Sequence, residues 1–306
     1  MSKGSQVENN NQVDVQHASN HALAVFSLLF GAVCWGIIWY PYRLMSEAGV
    51  SGVTSSFYTY GIATIIAGIY FAKHWRGIFN LPVSIIWLAI VAGWTNLSYV
   101  LAVIDGEVMR VMLLFYLSPL WTLILAHFWL KEPTSFKGYM AIAASLLGAF
   151  IMLHNPQISS FPLPRNTAEW LALSAGMGFS LTNVITRKSS HLSLRAKSFA
   201  VWLGVMMVSL AFMPFMANAL IPISFFSATH WLLMFLIALL LLAATLFVQY
   251  GVTKMTATRA SVLFVFELVV AAIASYYLAR ETMAINEWIG GGLIVTAAIF
   301  AASHDQ

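Results

Sequence analysis

The chain has 306 residues, of which 60% are hydrophobic and only 8% carry a charge. A soluble globular domain carries about 25% charged residues, so this composition excludes a water-covered surface and predicts a surface that mostly faces lipid. The net charge is only +4, and the basic residues stand between apolar runs, which excludes a nucleic-acid-binding protein.

Residues 1–20 are polar, rich in Asn, Gln and Ser, and present no apolar face. Such a segment buries too little apolar surface to fold, so it predicts a disordered cytoplasmic tail. The tail separates the chain start from the first apolar run, a spacing that argues against a secretory signal peptide.

Ten apolar runs follow the tail, each close to the length of about 20 residues that crosses a bilayer as a helix. The longest gap between runs, 155–168, contains three prolines and predicts a linker between halves at 21–154 and 169–306. We therefore predict an all-α integral membrane protein of ten transmembrane helices. The runs span about 22–45, 53–72, 84–104, 108–130, 138–154, 169–186, 198–220, 231–253, 260–279 and 285–302.

The basic residues predict how the chain is oriented. With the N-terminus inside, 11 of the 15 Lys and Arg residues fall on the inner side and 4 on the outer side. Loops on the cytoplasmic side of a membrane protein carry the excess of Lys and Arg. Both termini are therefore expected in the cytoplasm.

A repeat joins the two halves of the chain. The segment from Arg110 to Glu132 recurs from Arg259 to Glu281, at an offset of 149 residues. Since each half has five spans, an odd number, the second half enters the membrane from the opposite face. This predicts two inverted five-helix repeats related by an axis in the membrane plane. Weaker matches at an offset of 144 residues pair Trp35 with Phe179, Arg43 with Arg187 and Tyr58 with Trp202.

Short motifs follow one another in a fixed order along the ten spans. They are Trp35-Gly36, Ser118-Pro119, Lys131-Glu132, the pair Gly138 and Gly148, and Gly290-Gly291-Gly292. Their order resembles the EamA-like branch of the drug/metabolite transporter superfamily, over about residues 22–303. This resemblance implies a bacterial inner-membrane exporter of small metabolites, such as amino acids, with a cavity between the repeats.

Two positions depart from the family pattern. Leu268 follows Glu267, where the family often has a proline, and Tyr58 and Tyr60 lie near a position where many members carry an arginine. The missing arginine argues against a substrate that is held mainly by an anionic group.

Glu267 is the first candidate for the substrate site and for proton coupling. It follows Arg259 by eight residues, so it lies about 12 Å along a helix that crosses about 30 Å of lipid. A carboxylate at that depth costs about 2–3 kcal/mol unless it meets water, a partner or a proton, so we expect it to face the bundle interior. The alternative role is a structural hydrogen-bond acceptor between helices.

Ser118 is the repeat counterpart of Glu267, at the offset of 149 residues. Its neighbour Pro119 lacks a backbone donor and leaves the Phe115 carbonyl without its usual helical partner. A freed carbonyl near the midplane can line a substrate site, or the proline can simply kink the helix.

Aromatic and amide side chains form a wider set of substrate-site candidates. Rings accept apolar groups and attract amines, and amides inside a bilayer seek partners. Asn96 and Tyr99 are three residues apart and share a helix face. For each of these side chains, packing or contact with lipid is the alternative. The set is Trp35, Tyr58, Asn96, Tyr99, Tyr116, Asn183, Trp202, Gln249 and Phe264.

Glu132 and Glu281 end the fourth and ninth spans on opposite sides. A carboxylate there is expected to pair with a cation or to cap the next helix, and a gate is the alternative. The histidines show no metal-ligand spacing, and Ser, His and Asp form no nucleophile motif. We therefore expect no metal, no cofactor and no enzymatic activity.

These patterns together predict a secondary active transporter that works by alternating access. The expected partners are a small-molecule substrate, the lipid bilayer and protons as the coupling ion, in a monomer or a dimer. One alternative is an importer or exchanger of a larger metabolite such as a nucleoside or vitamin. An alternative of another class is a membrane scaffold that does not transport.

Overall fold

The computed structural model describes residues 3–71, 82–105, 108–153, 164, 166–216, 219–278 and 284–303. These residues contain no strand, and their helices form the ten predicted spans. Within this part of the chain, five helical segments are long and apolar enough to cross a membrane, as judged from their length and composition. They are Asn20–Glu47, Val83–Ala102, Leu194–Phe215, Ala228–Lys254 and Ala257–Leu278.

The first half forms spans one to five. Its helices are α1 (Lys3–Glu47), α2 (Gly52–Phe71), α3 (Val83–Asp105), α4 (Val108–Phe115), α5 (Ser118–Leu125) and α6 (Phe136–Leu153). A π-helical turn, Ala126–Leu130, extends α5 and completes the fourth span. Helix α1 starts at Lys3, within the segment whose composition predicts a disordered tail.

The second half forms spans six to ten. Its helices are α7 (Thr167–Lys188), α8 (Leu194–Phe212), α9 (Ala228–Lys254), α10 (Ala257–Phe264), α11 (Phe266–Leu278) and α12 (Ile285–Ser303). The seventh span was predicted to reach residue 220, but α8 ends at Phe212. Pro214 lies in the following 3₁₀ turn, and a proline cannot continue the backbone hydrogen bonding of an α-helix.

Local capping signals start several of these helices. The Asn166 side chain accepts a hydrogen bond from the Glu169 amide at 2.9 Å and begins α7. Ser193 caps α8 in the same way, and a capping box begins α9. Such caps satisfy amide donors that have no partner within the helix.

Helix packing has the approximate two-fold symmetry that the repeat predicts. Helix α3 packs along α7, and its repeat equivalent α9 packs along α1. The contacts of α8 with α3 correspond in the same way to those of α2 with α9. Helix α2 packs on its own equivalent, α8, and α6 packs on α12, so both pairs lie at the symmetry axis. The two inverted five-helix repeats therefore interlock across the whole bundle.

Single residues confirm the register of the repeat. A Cβ atom placed on Gly36 would lie 3.0 Å from the Glu267 carbonyl oxygen. At the equivalent place in the other half, the Ser180 hydroxyl donates a hydrogen bond to the Ser118 carbonyl oxygen at 2.8 Å. The first and sixth spans thus touch the ninth and fourth spans at matching positions.

Both of these partner spans are broken near their middle. Helix α4 ends at Phe115 and α5 begins at Ser118, just before Pro119. The freed Phe115 carbonyl is covered by Gly176, where an added Cβ would lie 2.5 Å from its oxygen. The ninth span breaks at Val265 although it has no proline there. The sequence alone did not predict this second break. Val265 is the repeat equivalent of Tyr116, which lies inside the first break, so the two breaks occupy matching positions.

Candidate functional site

An aromatic cluster occupies the centre of the bundle, at the symmetry axis. The rings of Trp35 and Phe179, which are repeat equivalents, lie 5.8 Å apart between centroids. Trp35 contacts Phe264 at 5.6 Å, and Phe179 contacts Phe115 at the same 5.6 Å, as the symmetry requires. These four residues, called the axial cluster below, join α1, α4, α7 and α10.

Glu267 lies beside this cluster, in the first turn of α11 and partly buried. The Tyr116 hydroxyl is its hydrogen-bond partner, and Tyr99 lies within electrostatic range of its carboxylate. The Tyr99 ring packs on Phe115 with centroids 4.9 Å apart, which ties this group to the axial cluster.

Two effects act in opposite directions on a charge at Glu267. Burial in the bundle disfavours the ionised carboxylate, whereas the positive end of the α11 dipole favours a carboxylate in the first turn. Within the described part of the chain, Glu267 forms no ion pair with a cation.

Two buried amides lie between the axial cluster and one end of the bundle. Asn183 follows Phe179 by one turn of α7, and the side chains of Asn183 and Gln249 are each only 3% exposed. The Asn183 amide nitrogen and the Gln249 amide oxygen have no hydrogen-bond partner among the described residues. An unpaired buried polar atom costs about 1–3 kcal/mol, so these two atoms suit a site that binds a polar group.

An ion network closes this end, which carries Lys131, Lys188 and Lys254 and is called the basic side below. The Arg187 Nε atom lies 2.9 Å from Glu132 Oε1, and Arg187 Nη1 donates to the Thr253 carbonyl at 2.7 Å. The second Glu132 oxygen accepts from the Ala257 amide at 3.1 Å and caps α10. The network thus joins the ends of the fourth, sixth and eighth spans to the start of the ninth.

A second cation completes the network. Lys197 of α8 is fully buried, and its ammonium group donates to the Thr253 hydroxyl and, at 3.5 Å, to the Thr186 carbonyl. Glu132 pairs with a cation, as expected, but the cation is Arg187 rather than the adjacent Lys131, and the helix that it caps is α10 rather than the next helix, α6. Lys131 takes a left-handed backbone conformation with φ 53° at the end of the fourth span.

The opposite end shows a different arrangement for the equivalent arginine. Arg43 pairs with Glu47 on its own helix at 3.0 Å, and the two side chains are 54% and 58% exposed. Among the described residues, this ion pair joins no two helices, unlike that of Arg187. Glu281, the repeat counterpart of Glu132, lies outside the described residues.

Three of the predicted site residues form a separate group around α2 and α8. Trp202 is fully buried and stacks on Phe71, and Tyr58 packs on Phe226 and Trp231. The Asn96 amide donates to the Tyr60 hydroxyl at 3.4 Å. Helix α3 connects the two groups, since Asn96 and Tyr99 lie one turn apart on it.

The site also contains residues that sequence reasoning did not select. Phe115 and Phe179 complete the axial cluster. The sequence could have indicated them, because they are the repeat equivalents of Phe264 and Trp35, which were selected. The sequence drew attention to Arg187 only because it is the repeat equivalent of Arg43. No sequence signal marked Lys197 as buried.

Comparisons with known proteins agree with this architecture. The model of the EamA-like transporter family matches residues 22–154 and again residues 166–303. A protein of Archaeoglobus fulgidus described as an uncharacterized transporter is 22% identical over 221 residues, which cover 71% of this chain and 76% of that protein. A solved crystal structure superposes with a TM-score of 0.73 over 91% of this chain and 96% of the other. At 15% identity this last likeness shows the fold alone.

The family match covers both five-helix repeats and leaves out only the tail and the linker. It confirms the resemblance drawn from the motifs and describes a small-molecule transporter that crosses the membrane many times. This chain therefore belongs to the EamA-like transporter family.

Proposed function

We propose that this protein exports amino acids or related small amphipathic compounds across the bacterial inner membrane by alternating access, with both termini in the cytoplasm. The observation that carries the proposal is the position of Glu267. Its carboxylate lies at the break of the ninth span, beside the axial cluster and between the two repeats, and its hydrogen-bond partner is the neutral Tyr116 hydroxyl.

The chemistry of this group suits an amine with an apolar side chain. A carboxylate attracts an ammonium group, and ring faces nearby add cation–π attraction and apolar contact. Asn183 and Gln249 offer unpaired amide atoms to a second polar group of the same molecule. A proton can neutralise the same carboxylate, so proton and substrate would compete for Glu267, which is the basis of proton-coupled exchange.

The two ends of the bundle support alternating access. The ion network closes the basic side, whereas at the other end the described ion pair of Arg43 is with Glu47 on its own helix. Opening toward the basic side requires Arg187 to leave both Glu132 and Thr253, two contacts that cross between helices. A conformation closed toward the cytoplasm is the one expected when an exporter releases its substrate outside.

Flux in proteoliposomes tests the proposal. Purified protein is first screened against a metabolite panel by thermal shift, and ligands that bind are then assayed for transport with and without a pH gradient. Glu267→Gln keeps the shape and removes the charge. A hydrogen bond to a charged group contributes about 1.5–3 kcal/mol, so we expect flux to fall about tenfold or more.

Glu47→Gln is the matched control, because the Glu47 side chain is 58% exposed and pairs only with Arg43. Its flux should equal that of the wild type. Unchanged flux in Glu267→Gln would remove the proposed role of this carboxylate. Absence of flux for every ligand that binds would favour the scaffold alternative, and binding of nucleosides or vitamins alone would favour the larger-metabolite alternative.

A further inference from the structure

A small pocket opens on the basic side, away from the axial cluster. It lies between the start of α6, the start of α10 and the end of α12. Lys137, Thr258 and Arg259 line it together with the apolar residues Ala141, Val262 and Phe300. Neither the ion network nor the Glu267 group includes any of these residues.

Three polar side chains of the pocket have no partner among the described residues. Lys137 and Arg259 form no ion pair or hydrogen bond with any residue that the structure describes. The Thr258 side chain is only 6% exposed, and its hydroxyl has no hydrogen-bond partner in the described part of the chain. A fourth polar side chain, Ser135, accepts a hydrogen bond from the Gly138 amide. The two cations and the Thr258 hydroxyl complement an anionic group with several acceptor oxygens.

The pocket changes from polar to apolar along its depth. Ala141 lies one helical turn beyond Lys137, and Val262 lies one turn beyond Thr258, on the side of the bundle centre. The nearby aromatic side chains of Phe136 and Tyr139 are 78% and 50% exposed, and such rings mark the level of lipid headgroups. An occupant should therefore be anionic at the mouth and apolar below it.

We propose that this pocket binds the headgroup of an anionic phospholipid from the inner leaflet. The phosphate would meet Lys137 and Arg259, and the upper part of an acyl chain would lie against Val262 and Phe300. Basic pockets between transmembrane helices on the cytoplasmic side bind lipid headgroups of this kind. Because α6, α10 and α12 come from both halves, a bound lipid would bridge the repeats.

Native mass spectrometry of the full chain tests this proposal, with phosphatidylglycerol and phosphatidylcholine added to the detergent-solubilised protein. We expect the wild type to retain phosphatidylglycerol in preference to phosphatidylcholine. Each lost cation should weaken retention about fivefold, so the double variant Lys137→Gln/Arg259→Gln should lose most of the preference. The matched control is Lys188→Gln/Arg195→Gln, which removes two basic-side cations outside the pocket and should keep it.

Three results would overturn the proposal. One is equal retention of both lipids by the wild type. Another is an equal loss of preference in the control variant, which would indicate general attraction to the basic side. The third is displacement of the lipid by millimolar glycerol phosphate, because a site for a free phosphate does not need the acyl chain. Lys137→Arg/Arg259→Lys conserves both charges and should retain the lipid, and failure of this variant would also count against a charge-based site.

Discussion

The two repeat-equivalent arginines, Arg187 and Arg43, form different kinds of ion pair at the two ends of the molecule. The Arg187 and Glu132 side chains are 27% and 16% exposed, so their ion pair is shielded from water and held by two further backbone contacts. Arg43 and Glu47 are more than half exposed and lie one turn apart on α1. Shielding and extra hydrogen bonds make the first pair the stronger one.

Glu132→Gln should therefore lower stability. The change leaves the Arg187 guanidinium without its carboxylate partner, and it weakens the cap on α10. We expect a loss of about 2 kcal/mol, seen as a lower melting temperature in detergent. Glu47→Gln removes a surface pair and should change stability by less than about 0.5 kcal/mol. Equal losses in the two variants would contradict the structural role of the ion network.

At the scale of elements, glycines allow helices from different halves to approach closely. A Cβ atom on Gly93 of α3 would lie 2.6 Å from the Gly204 carbonyl oxygen of α8, and an added Cβ on Gly204 would overlap the Ala89 carbonyl. Between α6 and α12, a Cβ atom on Gly148 would lie 2.8 Å from the Gly290 carbonyl. Small residues have this role at many membrane helix interfaces, where packing drives association.

Gly204→Ala and Gly292→Ala form a matched pair of variants. The first places a methyl group against rigid backbone between α3 and α8, so we expect a destabilisation of about 1–3 kcal/mol. The second meets no atom within 4 Å and should be neutral or stabilising by up to about 1 kcal/mol, because alanine favours helix more than glycine does. Thermal unfolding of both variants measures the difference, and a Gly204→Ala protein as stable as the wild type would refute the close approach.

At the scale of the whole molecule, the strongest helix pairs join one half to the other. Helix α3 packs along α7 and α8, α1 packs along α9, and α6 packs along α12. Polar contacts also join the two halves, for example Ser180 with Ser118 and Arg187 with Glu132. Each half alone would expose these groups to lipid.

We therefore expect neither half to accumulate when it is expressed alone. A chain cut between residues 155 and 163 and co-expressed as two pieces should assemble, because none of the contacts between the halves named above involves this segment. Immunoblots of the membrane fraction and flux in reconstituted vesicles measure the outcome. A single half that reaches wild-type amounts and resists protease would show that the repeats fold independently.

The sequence predicted the architecture well and the contacts within it less well. The ten spans, the offset of 149 residues and the equivalence of Trp35 with Phe179 all correspond to features of the structure. The break at Pro119 was visible because proline removes a donor. The break at Val265 was not predictable from the sequence, because no residue there disfavours a helix. The nine aromatic and amide candidates were proposed as one set, but the structure separates Trp202, Tyr58 and Asn96 from the group around Glu267.

Span length, the bias of basic residues and the internal repeat are properties of local sequence, and by themselves they determined a ten-helix membrane protein built from two inverted halves. Only the tertiary structure decided that Arg187 meets Glu132, that Lys197 is buried and that Tyr116 reaches Glu267. The physical reason is that a membrane helix is apolar on its lipid face and on its protein face alike, so periodicity does not reveal which side chains turn inward. That choice depends on helix rotation and crossing, which packing against the other half determines.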